Sequence, residues 1–151
     1  MELDKTAETP ALPPPLPQQE PTPQLSDAAL TKRVLVMEDN TVCQRIMTKL
    51  LKNLGIENFD IAENGKVGVD MVKAGPSTYS LVLMDTSMPV MGGLEATNVI
   101  RDMGVDVPIV AMTAHVMRND RESFLNRGFN DCLAKPTRIA PLRQMLVKWL
   151  D

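Results

Sequence analysis

The side chains of this 151-residue chain that could do chemistry follow short apolar segments. Glu38 and Asp39 come directly after Val-Leu-Val-Met, and Asp85 comes directly after Leu-Val-Leu-Met. Thr113 follows Ile-Val-Ala-Met, and Lys135 follows Leu-Ala. Apolar runs of this kind, bounded by turn residues, are typical of strands buried on both faces. All five side chains are then predicted at the carboxyl ends of strands, the edge where open α/β sheets bind ligands.

This set of residue types favours phosphoryl chemistry beside a divalent cation. Three carboxylates in one crevice repel one another, so the cluster makes sense if a cation offsets their charge. Oxygen ligands without His or Cys favour Mg²⁺ or Mn²⁺ over zinc. Thr113 can donate a hydrogen bond to an anion that Lys135 neutralises, and Asp85 can act as a nucleophile that forms an aspartyl phosphate. Turn-capping or surface roles for each residue taken singly stay open.

Alternating strands and helices are predicted to position these side chains. The predicted strands cover residues 33–37, 58–62, 81–84, 107–112 and 130–134. Helical spacing of apolar residues follows each strand, at 46–54, 67–72, 94–103, 115–127 and 139–150. Five such units imply an α/β fold with a parallel sheet, right-handed crossovers and helices on both faces. We expect core positions at Ile46, Leu50, Val82, Ile109 and Leu146.

Residues 1–31 differ in composition from residues 32–151, which we take as the folded domain. Seven of the 12 prolines lie between Pro10 and Pro23, and no hydrophobic periodicity is sustained there. Such a segment buries too little apolar surface to offset its ordering entropy, so we predict a disordered, acidic, Pro-rich tail. Two roles stay open for this tail: its Pro-Pro-Pro-Leu-Pro stretch could bind a proline-recognising domain, or the tail could be a spacer.

Composition also excludes several classes of protein. Aromatic residues make up 3% of the chain and the net charge is -3, which argues against direct nucleic-acid binding. The two cysteines form neither a zinc pattern nor a disulfide framework. No apolar stretch is long enough to predict a membrane span. We therefore expect a cytoplasmic protein, with a nuclear location open as well.

Four motifs taken together resemble the receiver domain of two-component response regulators. They are Val-Leu-Val-Met-Glu-Asp-Asn (34–40), Leu-Val-Leu-Met-Asp-Thr-Ser-Met-Pro-Val-Met-Gly-Gly (81–93), Ala-Met-Thr-Ala (111–114) and Leu-Ala-Lys-Pro (133–136). The resemblance covers residues 32–151 and implies a flavodoxin-like (βα)5 fold with strand order 2-1-3-4-5. It also implies a phosphorelay role with Mg²⁺ or Mn²⁺ as cofactor.

The resemblance assigns a role to each candidate residue. Asp85 is similar to the phosphoacceptor, and Glu38 and Asp39 are similar to the acid pair that holds the metal together with the backbone carbonyl of Ser87. Thr113 resembles the switch hydroxyl. Lys135 resembles the lysine that contacts the phosphoryl group, and a cis bond to the following proline is implied.

Three positions matter for mechanism. Cys132 stands where receivers usually carry an aromatic residue, so transmission of a conformational signal is open, although a buried Cys can simply pack as a small hydrophobe. Glu38 is one methylene longer than the commoner Asp, and we expect it to reach Mg²⁺ through water. His115 lies where side chains of this family affect dephosphorylation, and an exposed position at a helix start is the alternative.

Because the sequence ends directly after the last predicted helix, we expect a stand-alone, monomeric receiver that takes a phosphoryl group from a histidine phosphotransfer protein or histidine kinase and slowly loses it. The chain is similar to plant type-C response regulators. The alternatives are a receiver domain of a hybrid histidine kinase and a non-phosphorylated interaction module. Such a protein catalyses its own phosphotransfer and hydrolysis without being a conventional enzyme.

Two other classes of protein fit the sequence poorly. A phosphatase with an aspartate nucleophile would need a second Asp where Ser87 stands, and a flavodoxin-like cofactor binder would need a phosphate-cradling first turn.

Overall fold

The computed structural model describes residues 24–114 and 118–151. Its strands are β1 (Val34–Met37), β2 (Phe59–Ala62), β3 (Leu81–Asp85), β4 (Ile109–Thr113) and β5 (Asp131–Ala134). Its helices are α1 (Asp27–Leu30), α2 (Thr41–Asn53), α3 (Gly65–Ala74), α4 (Gly93–Asp102), α5 (Arg118–Asn126) and α6 (Ile139–Leu150). Every strand and helix predicted from the sequence is present. None of the helices in the described ranges is both long and apolar enough to cross a membrane.

The five strands form one parallel sheet with the order β2-β1-β3-β4-β5. This order confirms the predicted doubly wound, flavodoxin-like α/β fold. Met37 pairs with Met84, and Asp85 pairs with Met112, so β1, β3 and β4 end at the same edge. All residues of these three strands are buried, which explains their nearly continuous apolar sequences.

Alternate strand residues point to opposite faces of the sheet and build two separate cores. On one face, Leu35, Val82 and Ile109 pack with residues of α3 and α4. On the other face, Val36 and Leu83 pack with residues of α2 and α6. The sheet therefore lies between two helical layers, and its strand ends are left open to ligands.

The predicted core positions are confirmed at Val82, Ile109 and Leu146, which are fully buried. Leu50 is half-buried. The prediction for Ile46 is wrong, because its side chain is 42% exposed. Met47 lies on the buried stripe of α2 one turn before Leu51, and the 100° rotation between successive helical residues carries Ile46 to the margin of that stripe.

Truncation of these two side chains should therefore have unequal effects. We expect Leu146→Ala to lower the free energy of unfolding by about 3 kcal/mol, because it opens a cavity in a closed core. Ile46→Ala should cost less than about 1 kcal/mol, because much of that side chain is already in water. Urea unfolding followed by circular dichroism measures both. Equal losses for the two variants would contradict the burial described above.

Residues 27–30, which the sequence predicted to be part of the Pro-rich tail, form the short helix α1. Ser26 caps this helix by accepting a hydrogen bond from the backbone N–H of Ala29, at 3.1 Å. Ala29 is fully buried against the core that contains α2 and α6, and Lys32 donates to the backbone carbonyl of Leu150. A capping Ser followed by an acidic residue and then apolar residues is a helix-start signal that the surrounding proline-rich composition obscured. The prolines between Pro10 and Pro23 lie outside the described residues.

Candidate functional site

The turn from β1 into α2 fixes the first two acids. Asn40 caps α2 with its side-chain oxygen, which accepts from the backbone N–H groups of Val42 at 2.9 Å and Cys43 at 3.1 Å. The side-chain amide of Gln44 donates to the backbone carbonyl of Glu38 at 2.6 Å. The chain is therefore held where the strand stops, so Glu38 and Asp39 meet the sheet edge in a defined orientation.

The segment after β3 is fixed by close backbone contacts. The N–H of Thr86 donates to the carbonyl of Met112 at 3.2 Å, which ties this segment to the end of β4. Gly93 lies against Asp85, since a Cβ atom built on Gly93 would be 2.5 Å from the backbone oxygen of Asp85. Only glycine allows this approach, and it brings the start of α4 directly under the nucleophile candidate.

Lys135 joins two buried carboxylates at the centre of the site. Its Nζ lies 2.7 Å from Oε1 of Glu38 and 3.0 Å from Oδ2 of Asp85. The other oxygens are held by backbone N–H groups: Asn40 donates to Oε2 of Glu38 at 3.3 Å, and Ser87 donates to Oδ1 of Asp85 at 3.0 Å. The side chains of Glu38 and Asp85 are nearly fully buried, whereas that of Lys135 is 22% exposed. The lysine is therefore the member of this cluster that an incoming ligand can reach.

Burial and proximity push the acidities of these groups apart. Burial raises the pKa of Glu38, and its contact with Asp85 raises it further. Burial also acts to raise the pKa of Asp85, but contacts with Glu38, the Ser87 N–H and Lys135 outweigh it and leave the pKa below its usual value. Burial alone would lower the pKa of Lys135, yet the two carboxylates raise it. Asp85 is therefore held as the anion beside a lysine that stays protonated at neutral pH.

Glu38, Asp39 and Asp85 offer one carboxylate oxygen each within 4.8 Å of one another. Two of these residues are buried and Asp39 is exposed. All three donors are hard oxygens, which suits Mg²⁺ or Mn²⁺ and is unsuited to a soft metal.

The remaining predicted residues line the same cleft, which has a volume of about 340 Å³. Thr113, the last residue of β4, is buried at its wall, and Ser87 lies on the side that follows β3. The bond between Lys135 and Pro136 is cis, as the resemblance implied. His115 lies outside the described residues.

Sequence reasoning did not single out three of the polar residues that line this site. Asn40, Cys43 and Thr86 line the cleft beside the predicted residues. Asn40 carried a usable signal, since an Asn just before a helical pattern is a common N-cap. Cys43 and Thr86 carried none, because only the folded turn brings them to the cleft.

Cys132 lies inside the core between the sheet, α3 and α4, and is 7% exposed. This placement matches the interpretation of the residue as a small buried hydrophobe. It is the second residue of β5, three positions before Lys135. Cys132 therefore fills an interior position as a compact side chain.

Sequence comparison gives a consistent set of relatives. The chain is 43% identical over 126 residues to two-component system protein A of Emericella nidulans, which covers 83% of this chain but 18% of that protein. It is 40% identical over 129 residues to two-component response regulator 24 of Arabidopsis thaliana, which covers 85% of this chain and 90% of that protein. The chain thus matches a small part of some relatives and nearly the whole of others.

Solved structures agree with the sequence relatives. The receiver domain of a sensor histidine kinase from Pseudomonas aeruginosa, with a magnesium ion coordinated in its active-site cleft, is 36% identical, with a TM-score of 0.69 over 79% of this chain and 97% of that one. The receiver domain of the Saccharomyces cerevisiae response regulator Ssk1, in a complex with the histidine phosphotransfer protein Ypd1, is 32% identical, with a TM-score of 0.71 over 78% of this chain and 88% of that one. The protein-family model described as the response regulator receiver domain matches residues 34–147 of this chain. This chain belongs to the response regulator receiver family.

Proposed function

We propose that Asp85 accepts a phosphoryl group from a phosphohistidine. The observation that carries this proposal is the pairing of Oδ2 of Asp85 with Nζ of Lys135, at 3.0 Å, at the base of a cleft with two more carboxylates. In the transfer, a carboxylate oxygen of Asp85 forms a bond to phosphorus as the bond between phosphorus and the donor's imidazole nitrogen breaks, and the nitrogen keeps the electron pair. Lys135 then shifts from a purely internal pairing to a contact with the phosphoryl oxygens.

We further propose that Glu38, Asp39, Asp85 and the backbone carbonyl of Ser87 hold Mg²⁺ during this transfer. When bound, the ion would neutralise charge on the transferred group. The mutual distances of the three carboxylates support this, as does the magnesium ion in the related Pseudomonas receiver. Glu38 is already bonded to Lys135 and Asn40, so we expect it to contact the ion through water while Asp39 and Asp85 bind directly.

Thr113 completes the proposed site as a hydrogen-bond donor to the phosphoryl group. It ends β4 at the wall of the cleft, opposite the turn that carries Glu38. Hydrolysis of the aspartyl phosphate then requires a water molecule to reach phosphorus from the open side of the cleft. Among the described lining residues there is no histidine, and the one exposed carboxylate, Asp39, is assigned to the metal in this proposal, so no lining group remains to activate that water, which favours slow loss of the phosphoryl group.

The proposed donor is a histidine phosphotransfer protein or a histidine kinase. Support comes from the yeast receiver that was crystallised with a histidine phosphotransfer protein. The near full-length match to the Arabidopsis response regulator supports a stand-alone receiver of the plant type-C kind. The partial match to a hybrid signal transduction histidine kinase of Dictyostelium discoideum, of which this chain covers 6%, keeps a kinase receiver as the alternative arrangement.

Acetyl phosphate with and without Mg²⁺ tests the proposed function. We expect the intact mass to rise by one phosphoryl group when acetyl phosphate and Mg²⁺ are both present, and to stay unchanged once EDTA removes the ion. The physical reason is that the transferred group brings negative charge to a site that already holds three carboxylates. Absence of the mass gain in Mg²⁺ would favour the alternative of a non-phosphorylated interaction module. An equal gain in EDTA would exclude the metal from the reaction.

A further inference from the structure

Val90 has a backbone conformation that its side chain disfavours. Its φ angle is 68°, in the left-handed region, and it is the only non-glycine residue with a positive φ in the described ranges. The N–H of Met91 donates to the carbonyl of Pro89 at 2.7 Å, which closes a three-residue turn around Val90. A turn of this size with a positive φ at its centre is rare and strained. Valine is an unfavourable residue for it, because its branched Cβ crowds the backbone.

The residues on both sides of this turn are held by packing, so the backbone cannot relax the φ angle of Val90 without moving them. Met88 and Met91 pack against the core formed with α3 and α4. The backbone of Met91 is also pressed against Gly65, where a Cβ atom would lie 2.4 Å from the Met91 carbonyl oxygen. The tip between the two methionines must therefore turn within three residues.

The Val90 side chain gains nothing within this chain that would offset the strain. It is 80% exposed, the largest value among the large hydrophobic side chains that the structure describes as exposed. Glycine or asparagine would take the same φ at lower cost. An apolar, β-branched residue that is strained and in water is best explained by a contact outside the chain.

Other exposed apolar side chains surround the same edge of the sheet. Val42, Val67 and Leu94 are exposed in the first turns of α2, α3 and α4, and each of these helices begins where a strand ends. Of the exposed large hydrophobic residues in the described ranges, only Leu125 lies far from this edge, near the end of α5. Val42, Val67, Val90 and Leu94 therefore lie at the edge of the sheet that carries the cleft of Asp85, and none of them lines the cleft.

We propose that Val90 is a specificity-determining contact for the protein that donates the phosphoryl group, an inference that rests on the proposed function. Asp85 is 4% exposed, so a histidine carried on another protein reaches it only if the donor's surface covers the loops at this edge. Val90 is five residues after Asp85 in one of those loops and outside the cleft itself. A small donor such as acetyl phosphate enters the cleft without touching it. The partner surface that meets Val90 is accordingly apolar.

Two donors compared on matched variants test this inference. Val90→Asn introduces a residue that tolerates a positive φ and removes the apolar contact. Val90→Gly removes the side chain altogether. Leu125→Asn is the control for loss of an exposed apolar side chain at the opposite edge. Phosphorylated yeast Ypd1 serves as the protein donor and acetyl phosphate as the small one. Urea unfolding shows whether each variant is folded.

We expect both Val90 variants to be phosphorylated by acetyl phosphate within about twofold of the unmodified chain, and to unfold at the same or a higher urea concentration. Their kcat/KM for transfer from phosphorylated Ypd1 should fall about tenfold, the scale of a contact at an interface centre. Leu125→Asn should change neither rate. An unchanged kcat/KM for transfer from phosphorylated Ypd1 in both variants would overturn the inference, and so would the absence of transfer from Ypd1 to the unmodified chain. A change in oligomeric state with unchanged transfer would also overturn it, because it would assign Val90 to self-association. Failure with acetyl phosphate in the unmodified chain would instead refute the proposed function.

Discussion

Asp85→Asn should take up no phosphoryl group from acetyl phosphate or from a phosphohistidine protein. The amide has no anionic oxygen to attack phosphorus, whereas every other part of the site is kept. The fold should survive, because asparagine has nearly the same shape and can still accept the hydrogen bond from the Ser87 N–H. Intact mass spectrometry after incubation with acetyl phosphate and Mg²⁺ measures the uptake, and circular dichroism checks the fold.

Asp70→Asn is the matched control for this substitution. Asp70 is an exposed carboxylate on α3 that pairs with Lys66 at 3.0 Å, away from the cleft. We expect this variant to gain one phosphoryl group as fully as the unmodified chain. A full mass gain in Asp85→Asn would place the acceptor elsewhere. Failure of both variants would instead point to a general loss of structure.

Lys135→Ala should have the largest effect on stability among substitutions in the cleft. Glu38 and Asp85 lose their shared cation and are left buried beside each other. Breaking a buried ion pair costs about 3–5 kcal/mol, and because Lys135 is partly exposed we expect a loss of about 3 kcal/mol in the absence of divalent ions. Millimolar Mg²⁺ should still bind and should restore part of this stability. Urea unfolding with EDTA or Mg²⁺ gives both values.

Phosphorylation-dependent changes in NMR spectra should also be weaker in Lys135→Ala, because the phosphoryl group loses a charged partner. Lys66→Ala provides the comparison, since it breaks an exposed ion pair on one helix and should cost only about 0–0.5 kcal/mol. Similar losses of stability in the two variants would show that Lys135 does not hold the buried carboxylates. A full set of phosphorylation-dependent shifts in Lys135→Ala would exclude its part in the switch.

The sheet and the main site residues could be predicted from the sequence because both depend on short-range patterns. A fully buried parallel strand must be apolar along its whole length, so the first polar residue after it marks the strand end. Glu38, Asp85 and Thr113 are such residues, and parallel pairing necessarily brings strand ends together. This is why four separated segments of the chain predicted one cleft.

Features that depend on three-dimensional packing could not be predicted in this way. Ile46 satisfies helical periodicity as well as Met47 does, and only the placement of α2 on the sheet decides which one is buried. The formation of α1 depends on contacts that this part of the chain makes with the distant end of α6. The positive φ of Val90 follows from the packing of its neighbours, since valine itself gives no signal for such a turn.

The measurement that tests the central claim most directly is chemical mapping of the phosphorylated residue. Borohydride reduces an aspartyl phosphate to homoserine, which tandem mass spectrometry locates in the sequence. After incubation with phosphorylated Ypd1 and Mg²⁺, followed by borohydride, we predict homoserine at position 85 and at none of the other Asp positions. Homoserine at Asp39 or another aspartate, or a phosphoryl group bound to a residue other than aspartate, would contradict the assignment of Asp85 as the phosphoacceptor.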